Sequence, residues 1–161
     1  LTAKNGQRIA VINLIGRAFM KDGNRDIFKT ADKLIAEIPS SVKIRVVDMH
    51  AEATSEKQAI AWYLAGKASL VYGTHSHVPT ADHRILDGST GFVTDLGMTG
   101  PYRSVIGIDV SAAIHRLITG EKKKFEPATG DPQLYAILAD IDDDTGRCRS
   151  IQRLHYELGN D

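Results

Sequence analysis

Two histidines separated by one residue form the strongest chemical signal in the sequence. His75 and His77 directly follow a short apolar segment, Ser69–Tyr72, which is typical of a β-strand. Two imidazoles on an irregular segment can turn toward one cavity, and neutral imidazole nitrogens are favoured ligands of zinc, iron and other transition metals. Loop histidines that only face water are the more common outcome for this motif alone, so the pair needs independent support.

His50 supplies that support. It follows a second predicted strand and lies 25 residues before His75, with one predicted helix between them. A strand–helix–strand unit of that length brings both strand ends to one edge of a sheet, where open α/β sheets bind ligands. Asp48 and Glu52 stand beside this histidine and offer carboxylates to orient an imidazole, although a turn role and an exposed position are equally open for them. We predict a metal site built on His50, His75 and His77.

A glycine-containing loop, Thr94–Pro101, follows another predicted strand. Its glycines let backbone N–H groups approach a ligand closely, so a phosphate or a product anion could bind there. Gly97, Met98 and Thr99 are therefore candidate substrate contacts, together with Thr74 beside the histidine pair. A turn without a ligand is the more common alternative, because no lysine completes a phosphate-binding loop.

The other histidines and two charged runs carry weaker signals. We expect His83 to be exposed in a polar segment, and His115 and His155 to be structural or solvated. The acidic run Asp140–Asp144 ends in Thr-Gly and matches no complete calcium loop, so it predicts a hairpin turn. The basic run Glu121–Lys124 follows a predicted helix end and is interpreted as a solvated face.

Hydrophobic patterning predicts the elements that must position these residues. Apolar runs predict strands over 8–14, 43–48 and 69–72, and amphipathic spacing predicts helices over 27–37, 55–66 and 111–119. A hairpin is predicted around Asp87-Gly88, and paired strands over 133–141 and 149–155. Ser55 opens a capping-box pattern, which predicts the start of the second helix there. The order of elements indicates a mixed α/β sandwich in a single domain, residues 1–161.

Length and composition exclude several classes of protein. The chain has 161 residues and is 42% hydrophobic, which suffices for one domain with a real core. Its 20 basic and 20 acidic residues cancel, which removes the electrostatic argument for a dedicated nucleic-acid binder. No apolar run approaches the roughly 20 residues that a membrane span requires. The single cysteine, Cys148, cannot form an internal disulfide, which indicates a cytoplasmic protein.

Three longer motifs follow one another in the sequence: Asp48–Glu56, Gly73–Asp82 and Thr94–Pro101, the last followed by Ser104–Gly107. Together they resemble the YmdB-type bacterial metallophosphoesterases, a branch of the calcineurin-like superfamily with 2′,3′-cyclic nucleotide phosphodiesterase activity. The resemblance extends along essentially the whole chain. It implies a four-layer αββα sandwich and two divalent metal ions, with iron or manganese expected and zinc or magnesium as alternatives.

The resemblance also implies roles for the histidines. His50 and His75 match ligands of one ion and His77 matches a ligand of the other, with hydrolysis by a hydroxide that bridges both ions. Two ions together lower the pKa of the bridging water, hold the phosphate oxygens and neutralise charge as the bond to phosphorus breaks. The remaining ligands and the proton-donating histidine of the family come from motifs absent from these residues. We therefore expect a C-terminal, larger part of such an enzyme, without its first strands and inactive alone.

Two other functions stay open from the sequence. Three histidines alone could build a mononuclear zinc hydrolase, and a non-catalytic module that binds cyclic nucleotides or a partner protein is the third hypothesis. The expected partners are a cyclic nucleotide or another phosphodiester, the missing N-terminal part of the same protein, and a second copy in a homo-oligomer. No membrane partner is expected.

Overall fold

A computed structural model describes residues 1–21, 26–121 and 126–159. Most of the basic run at 121–124 therefore lies outside the described residues. Within them, the elements are β1 Ile9–Ile15, α1 Ile27–Glu37, β2 Ile44–His50, α2 Thr54–Tyr63, β3 Leu70–Thr74, β4 Arg84–Leu86, β5 Thr90–Val93, β6 Gly100–Pro101, α3 Val110–Thr119, β7 Pro132–Ile141 and β8 Cys148–Glu157. None of the described helices combines the length and the apolar character that a bilayer crossing needs. The predicted mixed α/β class is confirmed.

The first sheet has five strands in the order β1-β2-β3-β5-β4. Strands β1, β2, β3 and β5 run parallel, and only β4 is antiparallel to its neighbour β5. In this register His50 stands beside Ile15 on one side and Thr74 on the other. The predicted meeting of the two strand ends at one sheet edge is confirmed, and this edge carries the candidate site.

The second sheet is antiparallel, in the order β6-β7-β8. Its two long strands are joined by a turn in which the Asp142 carboxylate accepts hydrogen bonds from the backbone N–H groups of Asp144 and Thr145 and from the Thr145 hydroxyl. The hydroxyl of Thr145, then its backbone N–H, and then the guanidinium of Arg149 lower the pKa of Asp142 to about 2 against the opposing effect of burial. The acidic run forms a hairpin turn, as predicted.

The main core lies between the first sheet and helices α1 and α2. Val47 and Met49 of β2 are fully buried, as is Val71 of β3, while Ile60 and Leu64 cover them from the α2 side. Strands β2 and β3 occur as nearly continuous apolar runs in the sequence, as is typical of parallel strands. Buried and exposed residues alternate along β1, and this alternation fixes its register, because a slip by one residue would exchange the two faces.

Helix α2 begins at Thr54, one residue before the predicted start, and no side chain caps its first turn. The capping-box prediction is therefore wrong at Ser55. The Glu56 carboxylate instead accepts hydrogen bonds from the backbone N–H groups of Arg17 and Ala18, at 3.0 and 3.1 Å. A tertiary partner replaces the local one, and it fixes the loop that leaves β1 beside the candidate site.

Gly73 in β3 provides a direct test of this packing. A Cβ atom at this position would lie 1.7 Å from the carbonyl oxygen of Thr94, so the two segments could not keep their contact. We predict that Gly73→Ala lowers the free energy of unfolding by about 3 kcal/mol or more, as severe overpacking does. Chemical denaturation followed by circular dichroism measures the change.

Gly159→Ala is the matched control, because a Cβ atom there meets nothing within 4 Å. It should leave the free energy of unfolding within about 0.5 kcal/mol of the wild type. Equal stability of the Gly73 and Gly159 variants would contradict the close approach of these segments.

Candidate metal centre

The candidate centre lies at the carboxyl ends of β2 and β3. His50 is the last residue of β2, and its register partner Thr74 is the last residue of β3. The next turn holds His75 at a φ of 101° and His77 at 65°. Such backbone conformations cost non-glycine residues on the order of 1–3 kcal/mol each, and they persist where surrounding contacts enforce them.

The two imidazoles of His50 and His75 contact each other directly. Nε2 of His50 lies 3.2 Å from Nδ1 of His75, and the rings stand almost perpendicular at 88°, with centroids 4.9 Å apart. The two nitrogen atoms therefore face one point from two different strand ends.

Hydrogen bonds behind His50 define which of its nitrogens carries the proton. Asp48 accepts from Nδ2 of Asn13 and from the Thr74 hydroxyl, both at 2.8 Å. Because the Thr74 hydroxyl gives its only hydrogen to Asp48, its oxygen must accept from Nδ1 of His50, at 3.0 Å. Nε2 of His50 consequently presents a lone pair toward His75.

A carboxylate orients His75 from the other side. Oε2 of Glu52 lies 2.9 Å from Nε2 of His75, so this nitrogen donates its proton to the carboxylate. Nδ1 of His75 then faces the lone pair of Nε2 on His50. Two facing lone pairs require a cation between them, either a proton on Nδ1 of His75 or a metal ion. A carboxylate behind an imidazole is the usual arrangement at metal-binding histidines.

The spacing of the two nitrogens fits a shared ion. Imidazole nitrogens bind zinc at about 2.0–2.1 Å, so two nitrogens on one ion can be no more than about 4.2 Å apart. The 3.2 Å between Nε2 of His50 and Nδ1 of His75 satisfies that limit. The residues present can therefore hold one edge of a metal coordination sphere.

His77 lies on the same turn but does not join the other two imidazoles. Its Nδ1 donates to the backbone carbonyl of Ile106 at 2.9 Å, which leaves Nε2 with a lone pair on an exposed ring. Among the described residues, no group of three or more His, Cys, Asp or Glu side chains could hold an ion together. This geometry gives no support to a mononuclear centre with all three histidines.

A buried ion pair holds the histidine turn in place. Nζ of Lys57 lies 2.7 Å from Oδ2 of Asp95, and both side chains are only 2% exposed. The same Asp95 carboxylate accepts the backbone N–H of Ser76 at 3.0 Å and that of Gly97 at 2.8 Å. Asp95 thus ties the histidine turn to the glycine-containing loop.

The burial of Lys57 was not predicted, although its position on an apolar helix face indicates it. Lys57, Ile60, Ala61 and Leu64 follow the spacing of one helix face, and all four are buried. A lysine on an apolar face needs a buried partner of opposite charge. Asp95, which lies just after β5, provides that carboxylate.

A second carboxylate, that of Asp82, connects the segment after the histidine turn to the end of β5. Asp82 accepts the Thr80 hydroxyl at 2.7 Å and both the backbone N–H and the hydroxyl of Thr94. Burial is the largest single influence and raises the pKa of Asp82, but the bonds from Thr94 and Thr80 together outweigh it and hold the pKa below its ordinary value. Asp82 therefore stays ionised and connects these segments.

Neighbouring His83 differs from its predicted exposure. It is half-buried, and its Nδ1 is buried with no hydrogen-bond partner among the described residues. His115 and His155 bond to Glu121 and Gln133, respectively, consistent with structural roles.

The glycine-containing loop uses its N–H groups inside the protein. Gly97 donates to Asp95, and Met98 donates to the carbonyl of His77 at 3.2 Å, so neither group is free for an anion. Gly97 is required at its position, because its φ is 80° and a Cβ atom would lie 2.7 Å from Cδ of Pro79. Thr99 is exposed. The loop positions the histidine turn rather than offering its backbone to a phosphate.

Comparisons with known proteins agree with this fold and motif order. The mixed α/β fold matches a hypothetical protein from Thermus thermophilus with a TM-score of 0.90 and 38% identity, over 99% of this chain and 61% of that one. A phosphatase from Mycoplasma pneumoniae matches with a TM-score of 0.83 and 31% identity, over 91% and 53% of the two chains. Fold and sequence together place the chain among mixed α/β proteins, whose members include a phosphatase.

The family follows from the sequence itself. A sequence model of the YmdB-like protein family matches residues 1–154, so the chain belongs to this family and the resemblance is confirmed. The 2′,3′-cyclic-nucleotide 2′-phosphodiesterase of Bacillus subtilis is 47% identical over 150 residues, which are 93% of this chain and 56% of that protein. The chain thus spans a little over half the length of the relatives it matches.

The buried pair Lys57–Asp95 yields a stability prediction. Removal of one partner leaves the other charge buried and alone, which typically costs 3–5 kcal/mol. Lys57→Met and Asp95→Asn should each lower the free energy of unfolding by about 3 kcal/mol or more, and the double variant by clearly less than the sum. Urea denaturation of the four proteins measures the coupling.

Lys33→Met serves as the control, because the Lys33–Glu37 pair is long at 3.9 Å and exposed. It should change stability by less than about 0.5 kcal/mol. Additive effects of the Lys57 and Asp95 variants would contradict a direct interaction between these side chains.

Proposed function

We propose that this chain carries part of the metal centre of a phosphodiesterase that hydrolyses 2′,3′-cyclic nucleotides. The observation that carries the proposal is the pair of facing nitrogens on His50 and His75, each oriented from behind by a hydrogen-bonded carboxylate system. The name of the Bacillus subtilis relative supports the substrate class. The phosphatase among the structural matches supports chemistry at phosphorus.

In this proposal the three histidines serve two ions. His50 would bind one ion through Nε2 and His75 would bind it through Nδ1, while His77 would offer Nε2 to a second ion. Imidazole donors suit iron and manganese, with zinc or magnesium as alternatives, and the two ions would supply Lewis-acid chemistry and an activated water when bound. Hydrolysis by a hydroxide bridging the two ions is the mechanism that the family resemblance implies.

The residues behind the histidines would keep the ligands ready before an ion arrives. Glu52 fixes the proton of His75 on Nε2, and the Asp48–Thr74 system fixes that of His50 on Nδ1. Thr74 therefore has an orienting role in this proposal rather than a direct contact with substrate. The Lys57–Asp95 pair keeps the turn in its left-handed conformation.

We further propose that residues 1–161 belong to one cytoplasmic domain, a four-layer αββα sandwich that a further segment completes. The limited share of the relatives that this chain matches supports such a segment, which would bring the remaining ligands and the proton-donating histidine. Exposed apolar side chains support a covering partner: Val11 on β1 is 52% exposed, and Leu117 and Ile118 on α3 are 82% and 78% exposed. A homo-oligomer is part of the same proposal.

The metal site can be tested without any activity measurement. We predict that Mn²⁺ or Co²⁺ binds the wild-type chain, that His50→Ala and His75→Ala each abolish this binding, and that Glu52→Gln weakens it by about 10–100-fold because the imidazole loses its charged partner. Isothermal titration calorimetry of the purified chain measures the affinities. Glu37→Gln, an exposed change on α1, should bind like the wild type.

Activity provides the second arm of the test. The chain of residues 1–161 with Mn²⁺ is expected not to hydrolyse 2′,3′-cyclic AMP, because its three histidines cannot fill two coordination spheres. Hydrolysis by the chain alone would contradict the need for further ligands. Binding of the nucleotide that survives complete removal of metal would favour a regulatory binding module instead.

A further inference from the structure

A second concave site lies at the opposite edge of the first sheet, where β2 and β3 begin. We call it the basic pocket and define it by Lys43, Arg45, Lys67 and Arg147, with Ser69 at its base. Its volume is about 230 Å³. Arg45 is five residues before His50 on the same strand, so roughly 17 Å separates the pocket from the metal centre.

The pocket concentrates positive charge in a chain whose formal net charge is zero. Four cationic side chains line it: one just before β2, one on β2, one between α2 and β3, and one in the β7–β8 turn. Among the described residues that line it there is no carboxylate. Nζ of Lys67 lies 3.5 Å from Oδ1 of Asp32, so this lysine has an ion-pair partner. Lys43 and Arg147 form no ion pair among the described residues, so most of this charge has no protein counterpart.

Arg45 has unused hydrogen-bonding capacity inside this pocket. Its Nη1 donates to the carbonyl of Lys67 at 3.1 Å, whereas its buried Nε has no partner within the described part of the chain. That Nε has no exposed surface, so a ligand in the pocket cannot reach it without movement of its neighbours. A guanidinium carries five N–H donors, and the hydrogen bond from Nη1 to the Lys67 carbonyl uses one of them, which leaves donors on the Nη atoms for a small anion.

Contacts within the protein hold the wall of the basic pocket in place without a ligand. Gly146 packs so closely against β2 that a Cβ atom there would lie 2.2 Å from the carbonyl oxygen of Lys43. The backbone N–H of Cys148 donates to the carbonyl of Ser89 at 2.8 Å. These contacts fix the turn that carries Arg147 against the strand that carries Arg45, so the cations converge from two sheets.

We propose that the basic pocket binds the phosphate group of a small molecule, at a site separate from the metal centre. Arginine and lysine are the side chains that bind phosphate most effectively, and a dianion matches the unpaired charge. The volume is below the range of about 300–1,000 Å³ that drug-sized ligands occupy. Inorganic phosphate and a nucleoside monophosphate share the required group, and the experiment separates these two sources.

The test uses the metal-free chain in EDTA, titrated with inorganic phosphate and, separately, with adenosine 3′-monophosphate. Amide signals of Arg45, Lys67 and Gly146 in ¹H–¹⁵N NMR spectra should shift and saturate, while those of the histidine turn should not. The double variant Lys43→Gln/Arg147→Gln changes two exposed side chains and should fold normally. Its dissociation constant should rise at least tenfold, and Arg45→Gln should have a similar effect.

Two controls isolate the pocket. Arg153→Gln removes one cation from the exposed face of β8 and should keep the dissociation constant within twofold of the wild type. The double variant His50→Ala/His75→Ala should lose metal binding but bind phosphate normally, so failure of the metal proposal and failure of this one give different results. Tighter binding of the nucleotide than of phosphate identifies a phosphomonoester as the ligand, and equal binding identifies the phosphate group alone.

Four results would overturn the proposal. The first is the absence of saturable shifts at Arg45, Lys67 and Gly146 with either ligand. The second is an unchanged dissociation constant in Lys43→Gln/Arg147→Gln. The third is equal weakening by Arg153→Gln, which would show general attraction of anions. Stronger binding of a single-stranded RNA than of both small ligands would equally contradict a small-molecule pocket.

Discussion

The approach of two imidazole nitrogens to 3.2 Å is the constraint on which the candidate site depends. Asp48 acts through Thr74 on His50, and Glu52 acts directly on His75, so Nε2 of His50 and Nδ1 of His75 are the nitrogens that face each other. Such an arrangement is unfavourable in a protein without a cation. It is favourable when a metal ion replaces the repulsion with two bonds.

The fold holds the two imidazoles in this contact. Parallel pairing places His50 beside Thr74, and the positive φ of the following residue, His75, turns its own imidazole back toward the end of β2. The turn is held by Asp95, whose charge is balanced inside the protein by Lys57. Burying an ion pair in this position costs desolvation, and its value lies in fixing a strained turn that local sequence preferences would not maintain.

The sheet edge could be predicted from the sequence because its determinants are local. Apolar runs identify the strands, their spacing identifies a strand–helix–strand unit, and the handedness rules of such units place His50 near His75. Three features escaped prediction because they depend on tertiary partners. Glu56 binds the loop after β1, Lys57 is buried against Asp95, and Gly97 donates its N–H to that same carboxylate.

His77 shows the limit of motif reasoning most clearly. Two histidines two positions apart would point the same way on a strand, but both have positive φ values here, so the direction of each side chain follows from the turn alone. His77 is oriented by the Ile106 carbonyl instead of by His50 or His75. The motif places His75 and His77 on one turn, and the structure brings His75, but not His77, into contact with His50. The role of the three histidines as metal ligands stays a prediction.

The most direct test of a shared ion between His50 and His75 is ¹⁵N NMR of histidine-labelled protein titrated with Zn²⁺, a diamagnetic ion. Zinc should bind His50 through Nε2 and His75 through Nδ1, while protons stay on Nδ1 of His50 and Nε2 of His75. The ring-nitrogen shifts and long-range couplings distinguish these tautomers. Zinc bound through Nε2 of both rings, or no change at either ring, would contradict the central claim.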